Sequence, residues 1–105
     1  MGKYVFLYRH TGEMGETPAD EAAVMAAWMS WFGSLGDSVV DGGSPFGETG
    51  AVASDGTAST GLSSGLGGYS IITADDLASA QAKTKGCPVL LDGGSVEIYE
   101  AVPMG

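Results

Sequence analysis

The chain of 105 residues is 44% hydrophobic and carries thirteen acidic against four basic side chains, for a formal net charge of −9. This composition predicts one folded domain over residues 1–105. It lacks the ~20-residue apolar run of a membrane span, and the apolar run near the N-terminus is too short for a signal peptide. No Lys or Arg occurs between Arg9 and Lys83, which excludes the clustered cations that nucleic-acid binding requires. We therefore expect neither a membrane nor a nucleic-acid partner.

The first half of the chain is predicted to fold as strand, helix and strand. Residues 3–9, KYVFLYR, are aromatic and β-branched, as is typical of a strand. After a polar loop, Thr17 and Pro18 provide an N-cap and a proline at the first helical position, and Gly36 ends the helix. A second strand is predicted over residues 38–46, with a bulge or a close backbone approach at its Gly-Gly pair.

This first helix is apolar on more than one face. The apolar positions at helical spacing are Val24, Trp28, Trp31, Phe32 and Leu35. Met25, Met29 and several alanines widen this surface, whereas a surface helix needs only one apolar stripe. We interpret the aromatic residues as core, with a ligand pocket as the alternative, and the extra apolar width as an indication of oligomerisation.

The second half of the chain is predicted to add a hairpin and another strand–helix–strand unit. Asp55-Gly56 is a two-residue hairpin signal. A strand follows over residues 67–73, then a helix over residues 75–85 and a last strand over residues 95–102. In this helix Leu77, Ala78 and Ala80 are expected to face inward.

This order of elements predicts an α+β fold. Two strand–helix–strand units with right-handed crossovers give a ferredoxin-like split β-α-β sandwich, here with a β-hairpin insertion. Both helices would cover one sheet face, so the other face needs a second layer, most simply a second copy of the chain. VVDGGS at residues 39–44 and LLDGGS at residues 90–95 occupy corresponding places after the two helices, although chance can also produce this match.

Segments spread over almost the whole chain resemble the YCII-related family, also called the DGPF-domain family. The matching segments are residues 3–9, Ala26-Ala27-Trp28, Trp31-Phe32, Leu35-Gly36, Val40-Asp41-Gly42-Gly43 with Pro45, Gly67-Gly68-Tyr69, Gly86-Cys87-Pro88 and residues 93–97. The resemblance implies a single YCII-related domain whose sheet pairs with another in a dimeric α/β barrel. It also implies a small soluble bacterial protein, of a family mostly of unknown function and sometimes suspected of enzymatic activity.

One departure from the family limits what the resemblance implies. The name-giving Asp-Gly-Pro-Phe should fall just before Gly67, where this chain reads Thr60-Gly61-Leu62-Ser63. No role of the family's aspartate can therefore be transferred to this chain.

His10 is the candidate catalytic residue, because it is the single histidine and histidine titrates near neutral pH. In the predicted topology the sheet end that holds His10 also holds Tyr69 and Asp92, while Asp41 lies toward the other end. One hypothesis makes His10 a general acid or base oriented by Tyr69 or Asp92. The alternative is a solvated loop histidine. Neither a metal nor a cofactor is predicted, because no Cys or His spacing is typical of zinc sites.

The same end of the sheet is predicted to form a small-molecule cavity. Paired glycines at residues 67–68 and 93–94 would let the backbone approach a ligand closely. The predicted ligand-binding residues are Tyr8, Ser44, Gly68, Cys87 and Ser95.

Cys87 and the two aspartates also have structural interpretations, which we favour. Cys87 follows the C-terminus of a helix, where the dipole disfavours a thiolate, so a small buried residue is preferred over a nucleophile. A single cysteine suits a reducing compartment, and the protein is expected to be cytoplasmic. Asp41 and Asp92 could pair as acid and base, but aspartate before Gly-Gly commonly bonds its own backbone in a turn.

Taken together, these features predict a homodimer that binds a small organic molecule, with or without His10-dependent acid–base activity. The alternative is a non-catalytic module that binds a metabolite or a partner protein.

Overall fold

The computed structural model describes residues 2–9, 18–62 and 65–104, with only the backbone described at residues 18–21, 91 and 92. In chain order the elements are β1 (Gly2–Arg9), α1 (Pro18–Leu35), β2 (Val39–Asp41), β3 (Gly50–Val52), β4 (Ala58–Thr60), β5 (Leu66–Ala74), α2 (Leu77–Thr84) and β6 (Ser95–Ala101). Short 3-10 helices, Gly36–Ser38 and Pro88–Asp92, lie between α1 and β2 and between α2 and β6. The fold is therefore mixed α+β, as the sequence predicts.

The main sheet has four strands in the order β2-β5-β1-β6. Each neighbouring pair is antiparallel, so β1 and β2 run in the same direction on either side of β5. The register places Val5 of β1 between Ile71 of β5 and Tyr99 of β6. The two central strands thus carry most of the pairing that holds the sheet together.

The two faces of this sheet differ because side chains alternate along each strand. Every second side chain of β1 and β5 is buried, and together with Trp31 of α1 and Ala80 of α2 these side chains form one core. The opposite face carries Val5, Leu7 and Ile71, which are only half-buried. Neither α1 nor α2 covers that face, which we call the open face.

The second strand is shorter than predicted. β2 ends at Asp41 because the Asp41 Oδ1 atom accepts a hydrogen bond of 2.8 Å from the Gly43 backbone N–H, which turns the chain away from β5. Pairing resumes at a bridge between Pro45 and Gly68. The register shift lies between Val39 and Asp41, before the Gly-Gly pair, and the pair itself shows the predicted close backbone approach, at Gly43. The turn-forming role of Asp41 is confirmed.

The hairpin is confirmed, but its turn is not the predicted two-residue loop. β3 and β4 form a separate two-stranded sheet. The Gly56 N–H donates to the Ala53 carbonyl at 2.9 Å, and Ala53 N–H donates to the Thr57 carbonyl at 2.7 Å. Gly56 has a φ of 91°, which places it at the left-handed bulge position after a type I turn.

The second helix begins later than predicted. Asp76 is its N-cap and accepts a hydrogen bond of 2.8 Å from the Ser79 N–H. Leu77 and Ala78, which were expected to face inward, are exposed, while Ala80 is fully buried. The first turn of α2 therefore lies outside the core, and the helix contacts the core from Ala80 onward. Within the described residues, neither helix is long and apolar enough to cross a membrane.

The two Asp-Gly-Gly copies each follow a helix, as predicted, but they do not share a backbone conformation. Val39–Asp41 is extended and pairs with β5. The second copy instead lies at the end of the 3-10 helix Pro88–Asp92, which Gly93 caps with a φ of 78°. A shared tripeptide here serves two different turns.

Candidate functional site

A cavity of about 380 Å³ lies beside α1 on the helix-covered side of the sheet. One wall is formed by α1, through Val24, Met25, Trp28, Met29 and Phe32. The opposite wall consists of residues 42–45 and 67–70, and Tyr8 also contributes to the lining. None of these residues carries a charged side chain.

The α1 wall is aromatic because residues four apart lie on one helix face. The ring of Trp28 meets the ring of Tyr8 edge to face, with 4.9 Å between centroids, and lies 6.0 Å from that of Phe32. Trp28 and Phe32 are half-buried and also pack against the core. Both interpretations of these two residues, core and pocket, therefore hold, whereas Trp31 is a core residue alone.

The opposite wall is built largely from backbone. A Cβ at Gly68 would lie 3.0 Å from the Ser44 carbonyl oxygen, and a Cβ at Gly43 would overlap the Tyr69 carbonyl. The overlap at Gly43 excludes any side chain larger than hydrogen, whereas a Cβ at Gly68 would require the backbone of residues 44–45 to shift by a few tenths of an ångström. The wall consequently presents peptide groups to the cavity.

Two polar side chains of the cavity, Tyr8 and Ser70, form a short hydrogen-bonded chain with the Gly42 carbonyl. The Tyr8 hydroxyl donates to Ser70 Oγ at 2.8 Å, and the Ser70 hydroxyl donates to the Gly42 carbonyl at 2.7 Å. Both side chains are buried. Burial raises the pKa of the Tyr8 hydroxyl, and the hydrogen bond with Ser70 offsets that shift only in part. Tyr8 is therefore a neutral phenol at physiological pH.

Tyr69 and Asp41 lie together, although Asp41 was expected toward the other end of the sheet. The Tyr69 hydroxyl approaches Asp41 Oδ2 at 3.4 Å, and the Tyr69 ring stacks on that of Phe46 with 5.9 Å between centroids. The expectation was wrong because β2 ends at Asp41, which pairs with Ile71, only two residues from Tyr69. Asp41 is not among the described residues that line the cavity.

The predicted site residues separate into two groups. Those that line the cavity are Tyr8, Ser44, Gly68 and Tyr69. Cys87 and Ser95 lie elsewhere: Cys87 is buried in the core, and Ser95 is an exposed residue opposite Arg9 at the start of β6. Ser95 is separated from the cavity because β1 lies between β6 and β5 in the sheet.

His10 lies outside the described residues, and of Asp92 only the backbone is described. The hypothesis that Tyr69 or Asp92 orients His10 therefore stays a prediction. Within the described part of the chain, no three His, Cys, Asp or Glu side chains are grouped so that they could hold a metal ion.

Cys87 is 1% exposed, and burial raises the pKa of its thiol to about 11. Because the thiolate is the reactive form, we expect a disulfide reagent at pH 8 to label the native protein at least roughly 100-fold more slowly than the denatured protein. Absorbance of the released thiol measures both rates, and Cys87→Ser is the blank. Rapid labelling of the native protein would restore the nucleophile interpretation.

Sequence reasoning missed Ser70 as a cavity residue. The signal was present, because Gly68, Ser70 and Ile72 alternate along a strand and must share one face. A serine on the buried face of an apolar strand requires a hydrogen-bond partner. The identity of that partner depends on which segments the fold places opposite it.

No model of a known protein family matches this chain, and no curated protein matches it.

Proposed function

We propose that this protein binds a small, predominantly apolar organic molecule in the cavity beside α1. The observation that carries the proposal is the cavity itself, whose volume of about 380 Å³ falls in the range of small-molecule sites. Its aromatic helix wall, peptide wall and two convergent hydroxyl groups combine an apolar lining with a few polar contacts. A ligand of this kind needs no cation in the site.

Binding in this cavity is tested with indole, a neutral bicyclic probe small enough for the volume. We expect saturable binding with a Kd of about 0.1–1 mM, from the free energy that small ligands gain per atom. Val24→Trp should weaken binding at least about tenfold, because it puts a bulky ring into the lining. Ala26→Trp is the matched control, since Ala26 is an exposed residue of α1 outside the lining. Calorimetric titration measures all three affinities.

Equal loss of binding in both tryptophan variants would mean that the probe does not use this cavity. Absence of saturable binding to the wild type would contradict the proposed function outright.

We also propose that the chain forms a ferredoxin-like sandwich of the YCII-related type and dimerises through its open face into an α/β barrel. Support comes from the strand order β2-β5-β1-β6 and from the position of both helices on one face. The open face carries Val5, Leu7, Ile71 and the largely exposed Tyr99. A monomer would leave this apolar surface in water, which monomers rarely tolerate when the patch is large.

Ile71→Glu is expected to convert the dimer to a monomer, because Ile71 lies at the centre of the open face, beside Val5 and Asp41. A carboxylate there would be desolvated in the interface beside the carboxylate of Asp41, its pairing partner in β2, at a cost of several kcal/mol. Val52→Glu is the matched control, since Val52 is an exposed hairpin residue. Sedimentation velocity should show two chains of 10.6 kDa in the wild type and control, and one in Ile71→Glu. A wild-type monomer at micromolar concentration would contradict the dimer.

The catalytic version of this function assigns proton transfer to His10. Native mass spectrometry of the purified protein tests for a retained small molecule, which would supply a candidate substrate. If the protein converts that molecule and His10→Ala loses turnover while keeping binding, His10 is catalytic. Binding without turnover identifies a non-catalytic module.

A further inference from the structure

The direction of the hydrogen-bonded chain in the cavity is set by its last member. The Gly42 carbonyl can only accept a hydrogen bond, so in this pair the Ser70 hydroxyl must be the donor, at 2.7 Å. Ser70 Oγ is then the acceptor for the Tyr8 hydroxyl at 2.8 Å. The hydroxyl proton of Tyr8 is therefore used in a bond to Ser70 and is not available to a ligand.

What Tyr8 offers to the cavity is its remaining lone pair. Among the described residues no group donates a hydrogen bond to the Tyr8 hydroxyl oxygen. Tyr8 is only 5% exposed, so bulk water has little access to that oxygen. A buried acceptor without a partner costs free energy that a ligand donor would recover.

Two N–H groups of the peptide wall are already occupied within the protein. Its Gly43 N–H is held by Asp41 Oδ1 at 2.8 Å, and its Tyr69 N–H is held by the Ser44 carbonyl at 3.3 Å. The carbonyl oxygens keep a second lone pair each. Among the side-chain donors of the lining, the Ser44 hydroxyl and the Trp28 indole N–H have no protein partner in the described part of the chain, and both residues are accessible to water.

Charge argues against ionic ligands in the same place. The described residues of the lining include no basic side chain for an anion and no carboxylate for a cation, and burying an unpaired charge is costly. The net charge of −9 adds a repulsion against anions at longer range.

We propose that the cavity selects neutral, largely apolar molecules that present an N–H or O–H donor to the Tyr8 hydroxyl oxygen. This inference rests on the proposed function, because it assigns the ligand class of the same cavity. Ser70 acts as a positioning residue that sets the direction of the Tyr8 hydroxyl.

Three bicyclic probes of nearly equal shape test this selectivity. Indole carries a donor, benzofuran has a ring oxygen in its place, and indene has neither. We expect indole to bind about three- to tenfold more tightly than benzofuran or indene, which is the usual contribution of one hydrogen bond. Calorimetric titration of the wild-type protein provides the three dissociation constants.

Tyr8→Phe should abolish the preference for indole, while Tyr99→Phe, a change of the same kind at an exposed tyrosine, should keep it. Ser70→Ala should reduce the preference, because the freed Tyr8 proton can then be donated to benzofuran. Ser59→Ala is the control for that change, since Ser59 is an exposed hairpin residue. A purely structural role for Ser70 would weaken all three probes equally and leave their ratio unchanged.

The outcomes separate this inference from the function on which it rests. If all three probes bind equally and Val24→Trp weakens each of them, the cavity binds ligands but the donor selectivity is wrong. If none of the probes binds the wild type, both proposals are overturned. If Tyr8→Phe keeps the preference for indole, another acceptor recognises the donor and the assignment to Tyr8 is wrong.

Discussion

Gly43→Ala is expected to lower the free energy of unfolding by about 3 kcal/mol or more, from two additive causes. Gly43 has a φ of 79°, a left-handed conformation that costs an L-residue roughly 1–2 kcal/mol. Its Cβ would also overlap the Tyr69 carbonyl oxygen. Because the atoms that this Cβ would meet are backbone atoms, the overlap can be relieved only if the segment after β2 moves away from β5.

Gly42→Ala is the matched control for this change. A Cβ at Gly42 meets no atom within 4 Å, and Gly42 is not among the positive-φ glycines. We therefore expect a change of less than about 1 kcal/mol, with either sign. Urea denaturation followed by circular dichroism measures both variants. Similar stabilities for the two would show that the close approach of Gly43 to Tyr69 does not contribute.

Trp31→Ala is expected to cost about 3–5 kcal/mol, as for other large aromatic residues removed from a core. Trp31 is 5% exposed, and its ring lies between those of Phe6 and Phe32, with centroids 6.5 Å and 5.0 Å away. Its indole N–H donates to the Lys83 carbonyl at 3.0 Å. Trp31 therefore links α1 to the end of α2 as well as filling the core, so its removal leaves a cavity and an unpaired carbonyl.

Trp31→Phe separates these two contributions, because it keeps an aromatic ring and removes the N–H. We expect it to cost about 1–3 kcal/mol, the usual effect of leaving one buried polar group unpaired. Phe46→Ala is the control for loss of an exposed aromatic ring, since Phe46 is 42% exposed, and should cost less than about 1 kcal/mol. Denaturation is again followed by circular dichroism, because tryptophan fluorescence changes with the substitution. A Trp31→Ala cost no larger than that of Phe46→Ala would contradict the role of Trp31.

One segment of the cavity wall, residues 42–45, contributes both to stability and to the proposed ligand site. Residues 42–45 line the proposed ligand site, and Gly43 in the same segment is needed for β2 and β5 to approach. A Gly43→Ala protein that remains folded should therefore also bind indole more weakly than the wild-type protein. The same titration used for the tryptophan variants measures this effect.

The sequence by itself determined the order and type of the elements, because their signals are local. Pro18 is the first residue of α1, and Gly36 follows its end with a φ of 57°. The aromatic and β-branched residues of KYVFLYR predicted β1, and Asp55-Gly56 predicted a hairpin where β3 and β4 occur. Each of these signals acts over a few residues, so a single segment contains the information.

Only the tertiary structure decided the extent of β2, the environment of Leu77 and the cavity. Asp41 could begin a turn or continue a strand, and the choice depends on its register with Ile71, thirty residues away. Tyr8 and Ser70 are 62 residues apart in the chain, and Ser70 and Gly42 are 28 residues apart. Strand pairing brings these groups within hydrogen-bond distance. A pattern confined to one segment of the sequence cannot predict a contact between residues so far apart. The direction of the hydrogen bonds, and with it the proposed ligand class, exists only once those segments are assembled.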